Sequence, residues 1–255
     1  MIENNDRFRR IRLMLGDDAC ERLRESFAVI VGLGAVGGYA VEGLARAGVG
    51  RLRLIDFDKV APSNINRQLL ALGSTVGRPK CEVARERILD INPDCSVEII
   101  QSFADADTIP GFLADSPDIV IDAIDALNSK VELIVVARSM GLPIISCLGA
   151  ALRFDPTAVR VGPLSDVHHC PLGKTVRVRL RRRGVPLDFP CIYSDEPLPK
   201  PLPLAPPSDD LADPHIIQRG RARNTLGSLP TVTGMFGLTA ANHAIKILIG
   251  REKGI

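Results

Sequence analysis

FAVIVGLGAVGGYAVEGLARAGVGRLRLIDFD occupies residues 27–58 and reads as four pieces in order. FAVIV is an apolar run with the length of one buried strand. Gly32, Gly34 and Gly37 follow in G-x-G-x-x-G spacing. Val41, Leu44 and Ala45 then recur at helical spacing, and RLRLIDFD closes on Asp56 and Asp58. Strand, tight turn, helix, strand is a unit that cradles phosphate. Glycines let the turn bend and let the backbone come close, while the helix N-terminus adds unpaired N–H groups and a positive dipole end. Asp56 lies about twenty residues past the turn, where an acid meets a ribose hydroxyl.

That fingerprint alone admits a dinucleotide or a mononucleotide, with NAD the default. The continuation shifts the reading. KVAPSNINRQ and, beyond Gly77, RPK supply Asn64, Arg67, Gln68 and Lys80 soon after the second strand. A ribose-and-nicotinamide site has little use for two more cations. A triphosphate has, because its charge must be neutralised before a carboxylate can attack phosphorus.

With 255 residues and 45% hydrophobic content, the chain can bury a substantial core. We expect one domain, with 1–149 as a nucleotide-binding part and 150–255 as a substrate-binding and dimerisation part. Strand patterns at 96–100, 117–125 and 142–149 alternate with helical ones at 80–92, 105–116 and 128–141. This alternation predicts an α/β fold, a doubly wound, Rossmann-like, mostly parallel sheet. Asp56, Asp58, Asp122 and Asp125 stand at strand ends, where open sheets bind ligands. Asp58 and Asp122 read equally well as helix caps or loop anchors. Residues 6–26 predict helix broken at Gly16, with Leu13, Leu15, Leu23 and Phe27 as its apolar face.

The second part is less regular and predicts a C-terminal extension of antiparallel strands, crossover loop and long apolar helix. Short strands are expected within 155–165 and 189–194, and a proline-dense loop over 196–214. The helix spans 229–249, with Pro230 in its first turn. It is short of charge on every face, which predicts burial in the fold or in a dimer interface.

A net charge of +2 implies no polyanionic partner by itself. The cations are clustered, however: Lys174, Arg177, Arg179, Arg181, Arg182 and Arg183 form the densest basic run, and Arg219, Arg221 and Arg223 a smaller one. The run reads either as a solvated face or as an RNA-phosphate contact, without aromatics for base stacking. The six cysteines form no C-x-x-C pair, so a structural zinc site of the usual spacing is not expected. They read as reduced, which together with the absence of a signal peptide or bilayer-spanning run predicts a cytoplasmic protein. His168 and His169 beside Cys170 lack a fourth ligand. Cys170 and Cys191 are candidate nucleophiles, although a buried, inert thiol is the commoner outcome.

GLGAVG, LIDFDKVAPSNINRQ, VGRPK and DAIDA resemble the ThiF/MoeB/HesA family, adenylating enzymes akin to ubiquitin-activating enzymes. The resemblance implies ATP and Mg2+. Gly32, Gly34 and Gly37 would form the turn, Asp56 would hold the ribose, and Asn64, Arg67 and Lys80 the phosphates. Asp125 would bind magnesium, while Asp58, Gln68 and Asp122 are candidate nucleotide contacts by their place at strand ends and in the loop that follows the second strand. It also implies a homodimer in which Arg10 crosses to the partner's ATP, with Arg9 and Arg12 close enough to share that part.

DPTAVRVGPLSDVHHCPLGKTVRVRLRRRGV, CIYSDEP and LGSLPTVTGMFGL narrow the resemblance to the tRNA threonylcarbamoyladenosine dehydratase branch. The absent cysteine pairs argue against the MoeB and ThiF branches. The implied activity adenylates the threonylcarbamoyl carboxylate on an adenosine next to the tRNA anticodon and lets the modification close into a ring. Arg177, Arg181, Arg182 and Arg183 would then meet tRNA. Where that branch often has Gly-Ala-Gly, this chain has Gly149-Ala150-Ala151, and it has no cysteine near Ala222. Two other readings stay open. One is an adenylating enzyme for a ubiquitin-like or sulfur-carrier partner, needing a Gly-Gly tail and a working Cys170 or Cys191. The other is a non-catalytic nucleotide-binding or NAD-dependent protein.

Overall fold

The structure, a computed structural model, describes residues 7–199 and 226–252. Most of the proline-dense loop and the RGRAR cluster at 219–223 lie outside the described residues. Among those described, seven strands form one sheet. They are β1 (Phe27–Val31), β2 (Arg51–Ile55), β3 (Ser96–Ile100), β4 (Ile119–Asp122), β5 (Ile144–Cys147), β6 (Val159–Pro163) and β7 (Pro190–Ser194), in the order β3-β2-β1-β4-β5-β7-β6. All neighbours are parallel except β6, which runs antiparallel to β7 from Val159↔Ser194 to Pro163↔Pro190. The extension thus contributes one antiparallel strand, and β7 continues the parallel sheet. Strand order reverses at β1, whose Val31 pairs with Ile55 on one side and Asp122 on the other. The crevice beyond that point is where an open parallel sheet takes its ligand.

Among the described residues the α-helices are α1 (Arg9–Leu15), α2 (Asp17–Glu25), α3 (Gly37–Ala47), α4 (Lys80–Ile91), α5 (Ile109–Phe112), α6 (Leu127–Ser139), α7 (Pro171–Arg182) and α8 (Pro230–Leu248). They cover both faces of the sheet. Ala28 and Ile30 of β1 pack with Leu23, Leu44, Ile88 and Phe236, from α2, α3, α4 and α8. Phe27, Val29 and Val31 pack with Phe112, Leu133, Val176 and Leu180, from α5, α6 and α7. Burial on both faces is why FAVIV is apolar throughout rather than alternating.

The last helix completes the layer over the first half of the chain. Val232, Phe236, Ala240 and Ala244 are fully buried there. Small residues let α8 approach α3: a Cβ on Gly43 would stand 2.7 Å from Ala241 Cβ, and one on Gly237 would stand 2.3 Å from the Val36 carbonyl oxygen. The outer side of α8 leaves Met235 and Leu238 exposed.

Two expectations change. Leu13 is not part of a buried face: it and Met14 are 79% and 77% exposed, while Leu23 and Phe27 carry the contact with the core. The basic run is not irregular but forms α7, with Val176 and Leu180, one turn apart, buried.

At the far edge of the sheet, Arg53 of β2 pairs in register with Glu98 of β3. Its guanidinium reaches Glu98 at 2.7 Å and Asp115 at 2.6 Å, and covers the Phe27 ring. Among the described residues no helix is long and apolar enough to cross a membrane.

Candidate functional site

The turn after β1 needs glycine at two positions. Gly32 has φ +95°, and a Cβ there would lie 2.7 Å from the Ala123 carbonyl oxygen. A Cβ on Gly37 would lie 1.8 Å from the Gly32 carbonyl oxygen. Gly34 instead faces open space, where a Cβ would meet only Gln68 Nε2 at 3.9 Å. No side chain caps the N-terminus of α3. The Gly38 N–H bonds back to the Gly34 carbonyl oxygen at 3.1 Å, and the positive end of the α3 dipole faces the turn.

Asp56, at the end of β2, is buried and holds this turn in place. One carboxylate oxygen accepts from the Leu33 N–H at 2.6 Å, the other from the Asp58 N–H at 2.8 Å. A carboxylate has about four acceptor positions, so a ribose hydroxyl can still be received. Lys80 opens α4 inside the site, buried, with Nζ 3.0 Å from Asp58 Oδ2. Burial alone would lower the Lys80 ammonium, but the charges of Asp56, Asp58 and Asp125 hold it above its ordinary value. Burial raises the Asp58 carboxyl, Asp56 and Asp125 add to this, and Lys80 opposes it. Three acids around one lysine leave an excess of negative charge that a cation would relieve.

Asn64 is buried and accepts from the Ala61 N–H at 3.1 Å, tying the connecting loop. Arg67 is half-buried, and its Nη1 donates to the Ser63 carbonyl and to Asn66 Oδ1, both at 2.8 Å. Gln68 Oε1 is buried without a hydrogen-bond partner among the described residues. A ribose hydroxyl or, with the amide turned over, a phosphate oxygen would complete it. The open space over Gly34 and this unpaired oxygen both fit a bound nucleotide. The exposed Asp125 and the nearby Asp58 suit magnesium, which takes one or two carboxylates and fills its remaining positions with phosphate and water.

Asp122 is placed differently. It is fully buried, with Oδ2 2.6 Å from Lys130 Nζ and 2.6 Å from Ser146 Oγ, and Oδ1 accepting from the Ile124 N–H. Lys130 Nζ also donates to the Cys147 carbonyl. This network locks the ends of β4 and β5 to α6, so Asp122 takes the loop-anchoring alternative rather than facing a nucleotide. Lys130 is the residue the sequence did not single out here; its place on the first turn after a strand-end acid was the available signal.

The basic residues of the 174–183 run divide. Arg177 turns back to the Ser165 and Val167 carbonyls, and Arg183 pairs with Glu132 at 2.5 Å. Lys174, Arg181 and Arg182 stay exposed. Arg10 on α1 is also exposed. Cys191 is buried, which pushes its thiol far up, and Cys170 accepts from the Gly173 N–H as the cap of α7. Neither thiol is presented at the surface. His168 and His169 are exposed, and among the described residues no cluster of three or more His, Cys, Asp or Glu could hold a metal.

The ThiF family matches residues 6–254. The tRNA threonylcarbamoyladenosine dehydratase of Bacillus subtilis (strain 168) is 41% identical over 189 residues, covering 74% of each chain. That of Escherichia coli (strain K12) is 34% identical over 245 residues, covering 93% of this chain and 91% of its own. The crystal structure of the E. coli tRNA N6-threonylcarbamoyladenosine dehydratase in complex with ATP superposes with a TM-score of 0.84 at 31% identity, covering 97% of this chain and 95% of that one.

Proposed function

Because the chain belongs to the ThiF family, we propose that it is an ATP-dependent tRNA-modifying enzyme, which adenylates the carboxylate of N6-threonylcarbamoyladenosine and promotes its cyclisation with loss of water. The observation that carries this reading is likeness to dehydratases across both halves of the chain, not only across the nucleotide cradle. The chemistry follows from the cradle. A carboxylate is a poor electrophile because its oxygen leaves badly. Its attack on the α-phosphorus of ATP forms a P–O bond as the bond to pyrophosphate breaks. The acyl carbon then bears AMP. A nucleophilic atom of the same modification attacks that carbon and gives up its proton, and AMP departs with the former carboxylate oxygen.

Each residue has a part in this reading. The glycine turn and the N-terminus of α3 receive phosphate, and Asp56 receives the ribose. Arg67 and Lys80 offset charge that grows on the phosphates during attack. Asp125, with Asp58 nearby, would hold magnesium, which neutralises further phosphate charge when bound. No enzyme thiol is required. The exposed cations of α7 are assigned to tRNA phosphates. Arg10, Leu13 and Met14 on α1, with Met235 and Leu238 on α8, are assigned to contact with a second copy of the chain. The enzyme's place of work is the cytoplasm, with its tRNA.

The test supplies MgATP with tRNA bearing the threonylcarbamoyl group. AMP, pyrophosphate and a nucleoside lighter by one water are expected by mass spectrometry. A carrier protein ending in Gly-Gly serves as the second arm. Adenylation of the carrier alone would replace this reading with carrier activation.

A further inference from the structure

Arg153 lies a few residues past the end of β5 and is only 3% exposed. One guanidinium nitrogen, Nη2, donates to the His169 carbonyl. Nε and Nη1 are buried with no hydrogen-bond partner among the described residues. Burial holds the Arg153 guanidinium below its ordinary value, and the Glu196 carboxylate opposes this. Glu196 is already occupied: its carboxylate accepts from the Phe154 N–H at 2.9 and 3.1 Å and from the Asp155 N–H at 2.9 Å. Cys170 Sγ accepts from the Gly173 N–H at 3.3 Å and caps the twelve-residue helix α7. His169, whose carbonyl orients the guanidinium, sits at φ +52°, a backbone conformation that side chains other than glycine rarely take.

A buried cation with two unmet donors is a standing cost to a fold. A guanidinium is the side chain suited to a planar oxyanion, which it holds by two parallel hydrogen bonds. The positive end of α7 favours the same charge. The position is also apt. β5 is the neighbour of β4, and both end on the sheet edge that carries Gly32 and Asp125. A substrate carboxylate bound for the α-phosphorus must arrive at that edge.

We infer that Arg153, at the amino end of α7, recognises the carboxylate of the threonylcarbamoyl group and so selects modified over unmodified tRNA. This rests on the function proposed above and names the group that decides its substrate. The same oxyanion chemistry could come from a tRNA backbone phosphate. The unmet nitrogens are buried, however, on a side chain that is almost wholly enclosed. A carboxylate on a thin side arm reaches such a place, where a phosphate flanked by two riboses does not.

The experiment compares the unaltered protein with Arg153→Gln and Arg153→Lys. Dissociation constants are measured for tRNA bearing the modification, for the same tRNA with plain adenosine, and for ATP. Arg153→Gln should weaken binding of the modified tRNA roughly tenfold to a hundredfold, as expected for loss of a charged hydrogen-bonding partner. Plain tRNA and ATP should bind as before, Arg153→Lys should restore part of the preference, and the melting temperature should not fall. Equal weakening toward both tRNAs would assign Arg153 to phosphate and overturn the inference. A lowered melting temperature with loss of ATP binding would make it structural and overturn it as well. If the unaltered protein prefers modified tRNA and Arg153→Gln keeps that preference, the assignment of Arg153 falls alone. If the unaltered protein has no preference and no turnover, the proposed function falls, and this inference with it.

Discussion

Asp122 and Asp125 end the same strand segment and meet opposite fates. Asp122 is walled in with Lys130, whereas Asp125 is exposed within the electrostatic reach of Lys80 and Asp58. The two should therefore fail differently. Asp125→Ala should lower ATP–pyrophosphate exchange by about a hundredfold or more while leaving the melting temperature unchanged. Asp122→Ala should strand the buried Lys130 charge and cost about 3–5 kcal/mol, read from the urea midpoint. Stable Asp122→Ala protein without ATP affinity would reverse the two roles. Both aspartates stand where strand-end acids bind ligands, and nothing local in the sequence separates them. What separates them is Lys130 and Ser146, brought in from the next helix and the next strand. Arg153 was illegible for the same reason: the His169 carbonyl that orients it comes from a later loop, and no periodicity links the two.

Elements were easier to read than side chains. The glycine turn and the apolar strands were legible because a strand buried on both faces carries its signature in a few consecutive residues. Residues 175–180 were harder. TVRVRL alternates apolar and cationic residues, which suits either period. Packing chose the helix, burying Val176 and Leu180 and leaving Val178 42% exposed. This placement sharpens what α7 should do. Arg181→Gln with Arg182→Gln should weaken tRNA binding and reduce the slope of log affinity against log salt by about two, since each phosphate contact contributes about 0.9. Arg183→Gln should change the slope less, because Glu132 already holds that side chain. An unchanged slope in the double variant would make α7 a solvated face.

The β2–β3 edge allows a pH test. Burial works to raise the Glu98 carboxyl, but hydrogen bonds from Arg51 and Arg53 outweigh it and hold Glu98 below its ordinary value. A depressed carboxylate adds stability above its unfolded pKa and loses it as pH falls through its folded one. Glu98→Gln should thus cost at most about 1 kcal/mol at neutral pH, given its partial exposure, and progressively less as pH falls below the ordinary carboxylate range. Denaturant midpoints at neutral and acid pH measure this; a difference that grew in acid would refute the sign.

At the scale of the whole molecule, the question is whether one copy suffices. Mixing Arg10→Ala subunits with Asp125→Ala subunits should restore about a quarter of the activity, because half of the randomly paired dimers are mixed and each keeps one intact site. No recovery despite confirmed subunit exchange would place Arg10 outside the partner's site. The docking of α8 on α3 bears on a different matter, the order in which the chain is made. The phosphate turn is built from residues 32–37, yet the layer that backs it is closed by Phe236 and Gly237, which leave the ribosome about two hundred residues later. At about 5–20 residues per second, the nascent nucleotide half waits many seconds with an apolar groove uncovered. A translation stall between β7 and α8 would hold a chain with its strands present and its groove open, which is the form a chaperone or protease would recognise.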